Sequence, residues 1–210
     1  MSSEEARQAV AQLGQHFVWL KSVWHNYTVL FENQRTFETR NATAFRFFDD
    51  LNRVMIEYLL LSFARITDPP RSMGNENFTI ANLLETIDWP EPHKSSLLGL
   101  WAKLQAFRTK IVPARNKLIA HLDKNAFLKD LTLGVFEKGE DRVFIEDLEA
   151  ICNVMHEAAT GSIFGQVQVA ERGDAIDLLR VLEWGRAFDR AISAAKGEEK
   201  MKLYDLIQPS

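Results

Sequence analysis

The chain has 210 residues, 46% of them hydrophobic, and a formal net charge of −4, enough to bury one substantial core. Its longest apolar run, residues 54–64, is interrupted by Glu57 and falls well short of the roughly 20 residues that cross a bilayer. The lone Cys152 excludes an internal disulfide, and His16, His25, His93 and His156 lack metal-ligand spacing with it or with one another.

The first segment, residues 4–32, repeats Val10, Leu13, Phe17, Leu20, Trp24, Tyr27 and Phe31 at helical spacing, and the second, residues 42–66, does so with Phe45, Phe48, Leu51, Met55, Leu59 and Phe63. Asp68-Pro69-Pro70 stops the second helix, and Gly74 and Asn75 extend the break into a loop. A short helix is predicted over 79–87, closed by Trp89-Pro90-Glu91-Pro92, and a longer one over 93–110 with Leu97, Leu100, Trp101, Leu104 and Phe107 on one side. Proline is tolerated in a first helical turn, so Pro113 marks a kink or restart, with a new helix over 113–123.

Residues 131–145 depart from the helical pattern. Leu133, Val135, Val143 and Ile145 flank the turn-like Lys138-Gly139-Glu140-Asp141, which predicts a small β-hairpin or irregular flap. Two more helices follow, over 146–170 and 174–195, split at Arg172-Gly173. The expectation is an all-α bundle, a single domain over 1–196, with a tail over 197–210 that holds a short helix. The acidic start, Glu4 and Glu5, is unlike the basic and then apolar opening of a secretory signal, so the protein is expected to be cytoplasmic.

The stretch Arg115-Asn116-Lys117-Leu118-Ile119-Ala120-His121 carries the chemistry. Arginine holds phosphate with a fork of donors, histidine moves protons near neutral pH, and an amide can orient either one. At about 100° per residue Arg115 lies about 120° from His121 on an ideal helix, with Leu118, Ile119 and Leu122 crowding its side. A guanidinium drawn toward an apolar face needs an anionic partner or a second chain, unless it snorkels to water. On separate faces the two make a poor pair within one chain, whereas two copies across a two-fold axis can bring each arginine to the other's histidine. The stripe around Leu118 and Leu122 fits that interface or the interior of the monomer equally.

Between Trp101 and Lys124 the cations Lys103, Arg108, Lys110, Arg115, Lys117 and Lys124 face Asp123 alone, a local balance of +5 on a body that is otherwise −9. Such a strip either guides a polyanion to one place or is a solvated helix face. Arg65 and Asp68 have the spacing of a one-turn ion pair that caps the second helix; the other reading places them either behind the residues that act or facing a ligand.

Arg115 to His121, with Leu122 and Asp123 after them, is similar to the R-N-x-x-x-x-H signature of the HEPN superfamily, the higher eukaryotes and prokaryotes nucleotide-binding domains. The Ala120-His121-x-Asp123 ending resembles its abortive-infection, AbiU-like branch. Ala64-Arg65-Ile66-Thr67-Asp68-Pro69 and Asn77-Phe78-Thr79-Ile80-Ala81-Asn82-Leu83-Leu84 look like that branch's helix end and following short helix. The resemblance spans residues 17–170. It implies a HEPN-like helical bundle that dimerises and acts as a metal-independent endoribonuclease of toxin or phage-defence type, with no cofactor. In that picture His121 is the general base or acid, Arg115 stabilises the phosphorane-like charge and Asn116 positions them. Lys110, Lys117, Asp123 and Lys124 support the site or bind RNA. The implied partners are RNA, a second copy of the chain and a cognate antitoxin or regulatory protein. The alternative is a HEPN-like dimer that has lost cleavage and binds RNA, a nucleotide or a protein.

Overall fold

One apolar stripe, Val10, Leu13, Phe17 and Leu20, buries the face of α1 (Ser3–Tyr27), which a π-helical turn (Thr28–Glu32) prolongs. The computed structural model describes residues 1, 3–116, 136–165 and 173–205. α2 (Gln34–Ile66) starts before the expected residue 42, but its backbone leaves helical geometry at Ala44 (φ −153°, ψ 62°), so the uninterrupted part is close to the expected segment.

After Asp68-Pro69-Pro70 the chain makes a two-residue antiparallel ladder, β1 (Arg71–Ser72) with β2 (Asn75–Glu76), around Met73 and Gly74. Both turn residues have positive φ, 49° and 82°, the backbone that tight hairpins require. Thr79 then caps α3 (Ile80–Thr86) by accepting from the backbone N–H of Asn82 at 3.2 Å.

α4 (His93–Ala114) corrects the expected restart at Pro113. That proline lies in the last turn of α4 and faces solvent, while Ile111 and Ala114 beside it are buried. Its missing N–H removes one bond, and packing on either side holds the helix through it. The N–H of Arg115 bonds to the carbonyls of Ile111 and Val112, and Arg115 and Asn116 prolong the helix in a π-type turn. Through Asn116 they continue α4 instead of opening a new helix, and the rest of the expected helix, residues 117–123, lies outside the described residues.

The flap expected over 131–145 is corrected where it can be seen. Residues 131–135 lie outside the described residues, and Glu140 opens α5 (Glu140–Thr160). The physical reason is the burial pattern: Val143 is exposed while the adjacent Phe144 and Ile145 are both buried, and the row continues through Leu148, Ile151, Cys152 and Met155. Two neighbours on one face suit a helix and contradict an alternating strand. α6 (Ala175–Ala194) starts at Asp174, whose side chain accepts from the N–H groups of Ile176 and Asp177, and α7 (Glu198–Asp205) is the short helix of the tail. Among the described residues the fold is an all-α bundle of seven helices with one small hairpin.

The chain divides into two compact units. The first, Met1–Val23 with Met55–Val169, holds the larger core. In it α4 packs on α5, and Phe63, Phe107 and Phe144 meet at ring-centroid distances of 4.7 to 6.2 Å. Gly14 of α1 admits the ring of Phe164, since a Cβ there would come within 2.7 Å of it. The second unit, Trp24–Val54 with Ala170–Ser210, buries Leu30, Phe48, Ala175, Leu179 and Ile192. It is tied by Asn26, which accepts from the N–H of Ala175 at 2.9 Å, and by Arg186, which donates to the Thr39 hydroxyl at 3.0 Å.

Candidate functional site

Two stretches of the first unit, the turn just past the end of α2 and the last turns of α4, meet at the carboxylate of Asp68. Arg108 Nη2 donates to Asp68 Oδ1 at 2.5 Å, and Arg115 Nη2 donates to Asp68 Oδ2 at 3.3 Å. The two arginines are seven apart on α4, and seven residues are two turns, so both reach the same side. Thr67 fixes the turn that presents Asp68. Its hydroxyl donates to the carbonyls of Phe63 and Ala64, while its own carbonyl accepts from Arg108 Nε at 2.9 Å and from Gln105 Nε2 at 3.1 Å. Side-chain exposures of 13% for Arg108, 17% for Asp68 and 29% for Arg115 put this cluster where water screens charge weakly.

Asn116 stands next to the cluster, with its Oδ1 accepting from Arg115 Nη1 at 3.3 Å. Arg115 Nε is buried without a hydrogen-bond partner among the described residues. The expected Arg65–Asp68 pair is not formed: Arg65 is exposed, and Asp68 spends both oxygens on Arg108 and Arg115. Asp68 therefore stands directly behind the motif arginine and Arg65 does not. Lys117, His121, Asp123 and Lys124 lie outside the described residues.

Most of the basic strip that can be seen is already matched by acids. Lys103 reaches Asp147 at 3.2 Å and Lys110 is hydrogen-bonded to Glu140. That bond, and the N–H of Glu137 after it, hold the Glu140 carboxyl below the usual carboxylate range. Lys110 is therefore a tether for the start of α5. Arg108, Gln105 and Thr67 are the site residues that the motif does not contain. The seven-residue step to Arg115 was a visible signal for Arg108, and no spacing pointed to Gln105 or Thr67 as its partners.

Beside the Asp68 cluster lies an open cleft of about 600 Å³. Thr67 and Pro69 wall it from the end of α2, Glu85 from α3, and Trp101, Gln105 and Arg108 from α4. Cys152 is no nucleophile, because burial, and then the charge of Glu149, pushes its thiol up to about 12. Among the described residues no three His, Cys, Asp or Glu side chains group to hold a metal ion, and no helix is long and apolar enough to cross a membrane.

A sequence model of the AbiU2 family, HEPN_AbiU2, matches residues 3–178 of the chain. No curated protein and no solved structure matches it.

Proposed function

The chain belongs to the AbiU2 family of HEPN proteins, and on that premise we propose that it is an endoribonuclease of toxin or phage-defence type. It works without a metal, through a composite site of Arg115, Asn116 and His121 at a homodimer interface. The observation that carries this reading is the charge balance at Asp68: two guanidinium groups share one carboxylate, which leaves one formal positive charge held in place and weakly screened. A cation fixed before the substrate arrives, with no reorganisation to undergo, is what a developing phosphorane charge needs.

His121 takes the proton of a ribose 2′-hydroxyl, and the 2′-oxygen attacks the adjacent phosphorus. The bond from phosphorus to the 5′-oxygen breaks, and that oxygen takes a proton from the imidazolium of a second His121 or from water. The products are a 2′,3′-cyclic phosphate and a 5′-hydroxyl. Arg115 faces the non-bridging oxygens, Asn116 steers its guanidinium, and Asp68 holds it from behind. The helical phase of the motif supports a dimer, in which each arginine serves the histidine of the other copy. The partners in this reading are RNA, a second copy of the chain, and an antitoxin or regulator that holds the activity in check in the cytoplasm.

The second reading is a dimer that binds RNA, a nucleotide or a protein partner and does not cut. It draws on the same ion pairs, since an arginine bonded to Asp68 and Asn116 is already employed. Incubation of the purified chain with cellular RNA separates the two. Cleavage with 2′,3′-cyclic phosphate ends, unchanged in EDTA and lost in both His121→Ala and Arg115→Ala, is expected. Intact RNA with wild type and both variants at matched concentration overturns catalysis, and loss of cleavage in EDTA overturns the metal-free mechanism.

A further inference from the structure

The cleft beside Asp68 is walled by the two stretches that flank the hairpin and by one face of α4. On that face Trp101, Gln105, Arg108 and Val112 follow one another at steps of four, three and four, and Arg115 is the next residue in the row. The cleft and the motif arginine thus lie along one stripe of one helix, and Arg108 belongs to both, lining the cleft while it bonds Asp68. At about 1.5 Å per residue, Arg115 stands about 10 Å along the axis from Arg108. A polymer whose phosphate lies at Arg115 therefore has the cleft as its next resting place.

The chemistry of the cleft is selective. Its flat, apolar surfaces are the half-buried indole of Trp101 and the rings of Pro70 and Pro113. The donors of its polar groups are largely used: Arg108 Nε and Nη2 are taken by Thr67 and Asp68, and Gln105 Nε2 is taken by Thr67. What remains is a surplus of acceptors, the Gln105 carbonyl oxygen and above all the carboxylate of Glu85, which is exposed and has no ion pair or hydrogen bond among the described residues. A carboxylate in the same cleft as an indole repels a phosphate but fits a base edge with two neighbouring N–H donors. Of the four RNA bases only guanine offers that edge, at N1 and N2.

We infer that this cleft is a guanine subsite: it stacks a guanine of the bound RNA on Trp101, reads its N1–H and N2–H groups with Glu85, and places the strand's neighbouring phosphate at Arg115. The inference rests on the RNA-directed reading of Arg115 and adds the base that the site selects. Single-stranded RNA is held in this way by aromatic stacking together with cations along the backbone.

Calorimetric titration of the full chain with the four 5′-mononucleotides tests the subsite without any need for cleavage. GMP is expected to bind at least about tenfold more tightly than AMP, CMP or UMP. Glu85→Gln, a surface change that leaves the core intact, should remove that preference, and Trp101→Ala should weaken all four while Trp101→Phe restores them. A second titration compares a short non-cleavable 2′-methoxy oligonucleotide carrying one guanine with the same strand carrying inosine, which lacks the N2 amino group; the guanine strand should bind several-fold more tightly.

Equal binding of the four nucleotides, no detectable GMP binding at millimolar concentration, or a GMP preference unmoved by Glu85→Gln overturns the inference. GMP selectivity without guanine-over-inosine preference in the strand assigns the cleft to a free nucleotide and overturns the RNA part. Selective GMP binding in a chain that never cuts RNA overturns the ribonuclease reading alone, and RNA cutting with no effect of Glu85→Gln on the cleaved sequences overturns the subsite alone.

Discussion

Arg115 reaches back across 47 positions of sequence to the carboxylate of Asp68, whose other oxygen is already held by Arg108. This arrangement fixes the motif arginine from behind, so the loss of Asp68 exposes two poorly screened cations to each other. Asp68→Ala is expected to destabilise the first unit by about 2 kcal/mol, because it removes charge-assisted bonds and leaves their donors unpaired. Asp68→Asn keeps an acceptor and should cost less. Urea unfolding reads both as shifts of midpoint at constant slope, and equal stability of Asp68→Ala and wild type would show that the cluster contributes nothing.

The same geometry sets what Arg115 can be exchanged for. Its Nη2 bonds Asp68 and its Nη1 bonds Asn116, a two-sided grip that one ammonium cannot reproduce. If the fixed cation stabilises charge in the transition state, Arg115→Ala should lower kcat by about a hundredfold to a thousandfold with little change in KM. Arg115→Lys, with its charge kept and its geometry lost, should recover only a minor part. Full activity in the lysine variant would reduce the role of Arg115 to its charge.

The helices were legible because an apolar stripe on one face leaves a period in the chain. Val10, Leu13, Phe17 and Leu20 show it without interference, and all four are buried. Residues 140–145 misled because Val143 and Ile145 read equally as a period of two, and what decides is the paired burial of Phe144 and Ile145 against one core. Pro113 misled for a related reason: a local rule about proline yields when buried neighbours hold the helix on both sides. At the site, Arg115 and Asn116 were visible as a motif, but the partner of Arg115 was not, since a contact formed across the fold leaves no spacing to read. Arg65 was the nearer and more obvious mate for Asp68, and the turn at Thr67 gave that carboxylate to α4 instead.

The link between Lys110 and Glu140 makes stability depend on pH in a defined direction. The carboxyl of Glu140 is held below its usual range in the folded chain, first by Lys110 and then by the N–H of Glu137. A depressed carboxylate favours the folded state wherever the unfolded carboxyl is ionised, and the contribution disappears as pH falls through the folded-state value. Between about pH 6 and about pH 3, wild type should therefore lose stability more steeply than Lys110→Met or Glu140→Gln. Chemical denaturation over that range checks it, and parallel curves for the three proteins would remove the link as a source of pH dependence.

Cys152 gives a test of packing that needs no assumption about function. Its side chain lies in the row of α5 that faces the core, and burial pushes the thiol up to about 12. At pH 8 about one molecule in ten thousand then carries the reactive thiolate, and the surrounding core bars the reagent from that fraction as well. Native protein should thus resist a thiol-specific disulfide reagent over hours and react within minutes in guanidinium chloride. Modification of the native chain should proceed only through opening of the first unit, so its rate should rise in step with destabilising variants such as Asp68→Ala. Rapid labelling of wild type that is indifferent to Asp68→Ala would mean that α5 does not pack Cys152 as described.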